Sequence, residues 1–421
     1  MVTDITIKKG YKQTEIGVIP DDWKVKNLEE VSKRVSVGLA TSVTKYYRNK
    51  GVPIIRNLNI KDGFFDDSDM LYLDEDFAKA NLSKSAKGLD VLTVHTGANL
   101  GLTCVLPKSY DKCQTFTTLI ITPQKWIMNS YYLCYHMNSF FGKKEMKKLE
   151  VGGGKGNLNT ADLKKYRVFF PPTNEEQTAI ATVLSDTDAL IERLEKLIAK
   201  KKAIKQGAMQ QLLAGKKRLP GFSGEWEVTN LGKVAEFVHG RGLSKSDLNE
   251  EGTYKCIHYG QLFTTYKELI QEVNSRTNKN DGCFYSREND VLMPTSDVTP
   301  RGLATASCIK ETRVILGGGI LVIRLHPGYD GLYFSYFVTQ NKISVLKLVK
   351  GSTVFHLYAN DLATLEVCFP NFQEQIAIAR VLSDMDAEIE KLEQKRDKYI
   401  MLKQGMMQQL LTGRIRIYAN N

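Results

Sequence analysis

Three observations predict an α+β fold made of two similar halves. A stretch at 176–218 returns at a constant offset of 198 residues as 374–416, and the ungapped copies agree at 26 of 43 positions. Both copies carry apolar residues every three or four positions, the period of a helix with one buried face. The residues between the copies alternate short apolar runs with turn signals, which is the pattern of strands. A repeat of this length is the frame that any functional reading must explain.

The helical seam of the first copy is Ile180, Leu184, Ile191, Leu194 and Ile198, and that of the second is Ile378, Leu382, Met385, Ile389 and Leu392. Thr173 followed by Glu176, and Asn371 followed by Glu374, have the spacing of a capping box. Gly215 and Gly413 follow the Leu-Leu pairs, where a C-terminal glycine belongs. A helix over 177–213 is about 55 Å long at a rise of roughly 1.5 Å per residue. A seam spaced 4-3-4-3 needs a partner, and the other copy carries the matching one. Halves related by a two-fold axis make that pair an antiparallel coiled coil. Gly207 and Gly405, placed inside the helices at a cost of about 1 kcal/mol relative to alanine, point to close helix approach or a kink.

Each globular half opens on a proline, an acidic residue and a tryptophan, Pro20 to Trp23 in one and Pro220 to Trp226 in the other. These tryptophans are expected as core anchors. Strand-like runs follow at 53–55, 90–94, 104–106 and 118–121, then one or two helices over 126–149. The second half repeats the order with runs at 256–257, 290–293 and 320–323 and an aromatic helix over 333–349. A glycine-rich loop at 152–156 and a loop at 350–356 close the halves. The expected division is a leader at 1–17, a domain at 18–171, a helix at 172–216, a domain at 217–370, a helix at 371–415 and a tail at 416–421.

The chain carries 58 Lys and Arg against 47 Asp and Glu, a net charge of +11, which points to a polyanionic partner, with nucleic acid first. Eight of the basic residues fall between 196 and 224 with no acid among them, either facing phosphates or forming a solvated helix face. Seven cysteines without a Cys-x-x-Cys pair argue against a disulfide framework or a zinc ribbon. The start of the chain has no apolar signal-peptide core, and no window approaches the roughly 18 apolar residues of a membrane span, so a cytoplasmic protein is expected.

Catalytic patterns are missing. Lys155 in the glycine-rich loop lacks P-loop spacing, no dinucleotide fingerprint follows a strand, and the six histidines show no metal-ligand pairing. Asp186 and Asp188, like Asp384 and Asp386, stand two apart and so on different helix faces, which favours solvation or partner docking over a metal site. No catalytic or metal residue is assigned. Phosphate contacts need Lys, Arg or loop amides, and base readout needs Arg, Asn, Gln, His, Ser or Thr. The loop residues that meet these needs are Lys45, Arg56, Asn57, His95, Thr96, Lys155 and Asn157 in the first half. In the second they are Arg241, Lys245, His258, Tyr259, Gln261, Ser296, Arg301, Lys350, Thr353 and His356.

The paired segments running from Glu176-Gln177 to Gly215 and from Glu374-Gln375 to Gly413, with the opening Thr14 to Trp23, resemble the specificity subunit of type I restriction-modification enzymes. The resemblance covers essentially the whole chain. It implies two target recognition domains, each reading one half of a bipartite site in double-stranded DNA, and a coiled coil that sets the unread spacer. It also implies two modification subunits docked on the helices, carrying adenine methyltransferase chemistry and S-adenosylmethionine. Restriction subunits using ATP and Mg would complete the nuclease, leaving this chain without cofactor or catalysis. Residue assignments within the recognition domains do not carry over. A non-catalytic coiled-coil scaffold and a stand-alone bivalent DNA-binding protein are the alternatives.

Overall fold

The computed structural model describes residues 9–15, 17–150 and 156–417. Residues 1–8 and 16 of the expected leader, residues 152–155 of the glycine-rich loop with Lys155, and residues 418–421 of the expected tail lie outside these. The chain divides into two compact units, one formed by Met1–Arg193 with Lys395–Asn421 and the other by Leu194–Gln394.

This division cuts through both long helices, Asn174–Leu212 and Phe372–Leu410, and so differs from the domain edges read from sequence. The reason is burial. Ile180 and Leu184 of the first helix and Leu410 and Leu411 at the end of the second sink into the core of unit 1. Met209, Leu212, Leu213, Ile378 and Leu382 do the same in unit 2. Leu194, Ile198 and Ile389 are also buried, while Ile191, Met385 and Leu392 are half-buried.

In unit 1, Ser32–Val37, Thr118–Pro123, Val91–Val94 and Thr103–Val105 form an antiparallel sheet in that order. A second sheet runs Gln114–Thr115, Val52–Ile55, Leu71–Leu73 and Tyr47–Arg48. The predicted helical region is two helices, Ser130–Asn138 and Phe140–Lys148. Unit 2 repeats the plan with a five-stranded sheet that runs Ala235–His239, Ile320–Leu325, Val291–Pro294, Ser307–Ile309 and Leu269–Ile270. Its helices are Gly331–Gln340 and Lys342–Leu346. In each unit the first and last strands of the globular part pair, Lys24–Asn27 with Arg167–Phe170 and Glu227–Asn230 with Glu366–Phe369. That pairing brings the ends of each globular part together at the root of a long helix.

The leader is more than a polar arm. Tyr11–Thr14 forms a hairpin with Gly17–Pro20, and the Tyr11 hydroxyl donates to the carbonyl of Gly413 at 3.1 Å. Gly413 has φ +66°, and a Cβ there would run into Pro20 and meet Trp23, so only glycine fits. Trp23 is a core anchor, packed edge-on against Tyr132 at 6.5 Å. Trp226 takes the same pose on Tyr333 at 6.4 Å, although it is only half-buried. Gly207 and Gly405 do not mark close helix approach, because a Cβ at either would meet nothing within 4 Å.

The capping boxes are half made. Thr173 accepts from the Glu176 amide at 3.3 Å and Asn371 from the Glu374 amide at 3.0 Å. The glutamate side chains turn elsewhere, because a guanidinium competes for them. In unit 1, Arg416 forks onto Glu176 at 2.5 and 2.8 Å and also reaches Asp22 at 2.9 Å. In unit 2, Arg218 forks onto Glu374 at 2.6 and 2.5 Å. Residue 416 is therefore part of the folded unit, not a tail.

Of the four aspartates of the repeat, Asp186 and Asp384 are exposed, as a solvated face requires, whereas Asp188 and Asp386 bond internally. Asp188 takes Lys403 at 2.6 Å and the Tyr135 hydroxyl at 2.8 Å, with the lysine over the tyrosine ring. Asp386 takes Lys205 at 2.6 Å and the Tyr336 hydroxyl at 2.7 Å in the same way. Neither is left for solvent or a docking partner. Burial, then the neighbouring aspartate, pushes both tyrosine hydroxyls well above their ordinary range. The basic run at 196–224 is likewise spent in part inside unit 2, where Lys201 meets Glu388 and Lys202 meets Glu393, each at 2.6 Å. With Lys205 and Arg218, half of its eight cations bind acids of the other helix. The order of these pairs is antiparallel within each unit, low numbers in one helix meeting high numbers in the other.

Candidate nucleic-acid interface

The strand ends of each unit build a rim from the same set of backbone bonds. In unit 1, Gly38 donates to Thr118 at 3.0 Å, Leu39 to Thr115 at 2.7 Å, and Phe116 to Ile55 at 2.8 Å. In unit 2, Gly240 donates to Ile320, Arg241 to Leu316 and Gly317 to Ile257, all at 2.9 Å. The closing loop is anchored alike in both: Leu158 donates to His95 at 2.9 Å and Leu357 to Thr295 at 2.9 Å. A Cβ on Gly38 or Gly240 would strike the backbone opposite, so the rim needs glycine at both places.

On this frame unit 1 brings four of its sequence-derived residues together. His95 Nδ1 lies 3.2 Å from Asn157 Oδ1, Thr96 forms an isolated bridge with Asn157, and Asn57 accepts from the Thr118 hydroxyl at 3.4 Å. Arg56 follows the same strand as Asn57 but is tied to Asp69 at 2.9 Å. Lys45 stands apart, on the turn Thr44–Tyr46 beside Tyr47–Arg48, at the opposite edge of its sheet from Gln114–Thr115.

Unit 2 gathers its residues more completely. His258, Tyr259 and Gln261 follow Tyr254–Ile257, and the Tyr259 ring covers Gly319 at the rim. His258 is held below its ordinary pKa by burial and then by the charge of Lys245. Gln261 is occupied internally, accepting from the His258 amide at 2.9 Å and donating to Ser275. Ser296–Asp297, Phe355–His356 and Lys350–Gly351 form a three-stranded ribbon with Phe355–His356 in the middle. Ser296 and Lys350 are the two register partners of His356, and Thr353 stands in the turn. Lys350 is paired with Asp361 at 2.7 Å. Arg241 and Arg301 are exposed, and neither guanidinium bonds any described residue.

Sequence reasoning missed the apolar part of this rim. Val298 is 72% exposed, Tyr358 is 52% exposed and Val354 is 44% exposed around the ribbon. Nothing in a Thr-Val-Phe run tells which member faces out. Elsewhere in unit 1 the largely exposed Trp126 carries Lys33 over its ring at 4.6 Å.

The chemistry of the rim suits a polar, anionic partner: loop amides, hydroxyls, imidazoles and the exposed guanidinium groups of Arg241 and Arg301. Among the described residues no group of three or more His, Cys, Asp or Glu could hold a metal ion. The buried His136, bonded to the Tyr166 hydroxyl at 2.9 Å, is part of the core of unit 1. No helix of the described residues is long and apolar enough to cross a membrane.

Comparison with known proteins agrees with the duplication. The chain matches the family described as type I restriction modification DNA specificity domain twice, over residues 20–206 and 223–399. It is 26% identical over 434 residues to a putative type I restriction enzyme MjaX specificity subunit of Methanocaldococcus jannaschii, covering 97% of both chains. The MjaVIII specificity subunit of the same organism is 23% identical, again over 97% of each. Among solved structures, the S subunit of a type I restriction-modification system from M. genitalium shares the fold with a TM-score of 0.62. Identity to it is 13%, over 96% of this chain and 98% of that one.

Proposed function

The chain belongs to the type I restriction modification DNA specificity family, and from that premise we propose that its two rims each read one half of a bipartite site in double-stranded DNA. The observation that carries the reading is one frame bearing two different surfaces. The same backbone bonds hold both rims, while the side chains they present differ: His95, Thr96 and Asn157 in one, Tyr259, Arg301 and the ribbon in the other. A duplicated single function would not need that divergence.

In this reading the chain recognises DNA and performs no chemistry. Two modification subunits bind it and supply adenine methylation from S-adenosylmethionine, and restriction subunits supply ATP- and Mg-dependent cleavage, all in the cytoplasm. The two continuous helices, about 58 Å each at roughly 1.5 Å per residue, fix the unread gap between half-sites. The excess of basic residues supplies the sequence-independent attraction to phosphates.

The test is to map methylated adenines on a plasmid after expressing the chain with its modification subunit, beside a control lacking the chain. A two-part motif with a fixed gap, present only with the chain, is the expected result. An active, co-purifying modification subunit that marks no such motif would refute the reading and favour a protein-binding scaffold.

A further inference from the structure

The two rims share an anchor but not what is built on it. In unit 1 the described residues show a single bridge between Thr96 and Asn157. In unit 2 the same place carries the three-stranded ribbon, closed by a turn at 352–354. Gly351 sets that turn with φ +124°, and a Cβ there would run into the carbonyl of Val354. Lys350 holds the base of the ribbon through Asp361. Ser352, Thr353 and Val354 are all exposed at the tip.

Resting on the function proposed above, we infer that this turn is the specificity-determining element of unit 2, entering the DNA major groove with Val354 against the 5-methyl group of a thymine. The major groove, about 12 Å wide, admits a β-ribbon. Ser and Thr hydroxyls can donate to or accept from any base edge there, and an aliphatic side chain finds its partner in the thymine methyl group. Val354, 44% exposed on a polar turn, leaves apolar surface in water that a thymine methyl would cover. Arg241, exposed and on the neighbouring loop, belongs to the phosphate contacts that position without reading.

The test uses the whole chain assembled with its modification subunits. Val354→Ser is expected to relax one A·T position in the half-site read by unit 2 and to leave the other half-site unchanged, which also shows that the variant folds. Replacing thymine by uracil at that position should weaken binding of the parent protein about fourfold, the worth of one buried methyl group, and leave the variant unaffected. Arg241→Ala should weaken all duplexes alike and lower the salt slope by about one.

An unchanged motif with Val354→Ser, or an equal uracil effect in parent and variant, would each overturn the inference while leaving the bipartite reading intact. Relaxation by Arg301→Ala without any by Val354→Ser would move base reading off the ribbon. A parent map with no bipartite motif would remove both readings together.

Discussion

Removing the Arg416 guanidinium should cost unit 1 about 3 kcal/mol, more than removing the carboxylate it binds. Arg416 is 18% exposed and forks onto Glu176, whose side chain is 6% exposed. Breaking a fully buried pair by deleting one partner costs about 3–5 kcal/mol, because the other charge is stranded, and the partial exposure of Arg416 places this pair at the low end. Glu176→Gln is milder, since Arg416 keeps both oxygens of Asp22 at 2.9 Å and its place over Trp23. Thermal unfolding of the full chain reads this directly. For a unit of roughly 220 residues each kcal/mol moves the midpoint by about 2–4 °C, so Arg416→Ala should lower the unit 1 transition by about 6–12 °C. The double variant should be less destabilised than the sum, with a coupling of at least 1 kcal/mol by the usual size for contacting charges. Additivity, or a larger loss from Glu176→Gln than from Arg416→Ala, would refute the argument that a stranded carboxylate sets the cost.

Gly413→Ala should destabilise unit 1 and Gly207→Ala should stabilise unit 2 by about 1 kcal/mol, since the first would clash with Pro20 at positive φ and the second meets open space; chemical denaturation compares them. His136 is held neutral, its pKa pushed down to about 3 by burial. Its folded value lies below its unfolded one, so the unfolded state takes the proton first and stability falls as pH drops from about 6.5 towards 3, by up to about 1.4 kcal/mol per pH unit. A His136→Gln variant with an equally steep acid limb would contradict this. Asp386→Asn should weaken unit 2 by stranding Lys205 and loosening Tyr336, and Tyr336→Phe should cost less because Lys205 then keeps its ion pair; equal losses would show that the hydroxyl and not the charge matters.

Much of the architecture was legible because it rests on periodicity. The long helices, several of the strands and the glycine caps follow from residue pattern, and Gly215 and Gly413 adopt the left-handed conformation their positions call for. What the sequence concealed were choices between partners. A glutamate three residues after a capping residue reads the same whether its carboxylate turns back to the backbone or outward to an arginine 240 residues away. Asp188 and Asp386 look like surface charges on a helix until Tyr135 and Tyr336, from the globular parts, are brought against them. The rim shows the same limit: Gln261 and Arg56 have the chemistry of readers but are engaged within the protein, while Val354 lacks that chemistry and is presented outward.

Five of the positions that stayed identical in the two copies of the repeat carry polar side chains that bond inward. Glu176 and Glu374, Arg218 and Arg416, Asp188 and Asp386, and Lys205 and Lys403 make the same pairs in their own units. Gln177 and Gln375, both buried, span the turn before the helix in the same way, each donating to a proline carbonyl and accepting from a backbone amide. Where the copies differ, the bonds differ too: Lys201 and Lys202 pair with acids, while their counterparts Tyr399 and Ile400 cannot. A buried charge tolerates no change without its partner, so these networks hold the sequence still at the roots of both globular parts. Apart from the glycines at 38, 240 and 351, the rims are less constrained, since their geometry comes from backbone bonds. A frame fixed by paired charges and a surface free to vary is the physical condition under which two halves of one chain can come to read different DNA.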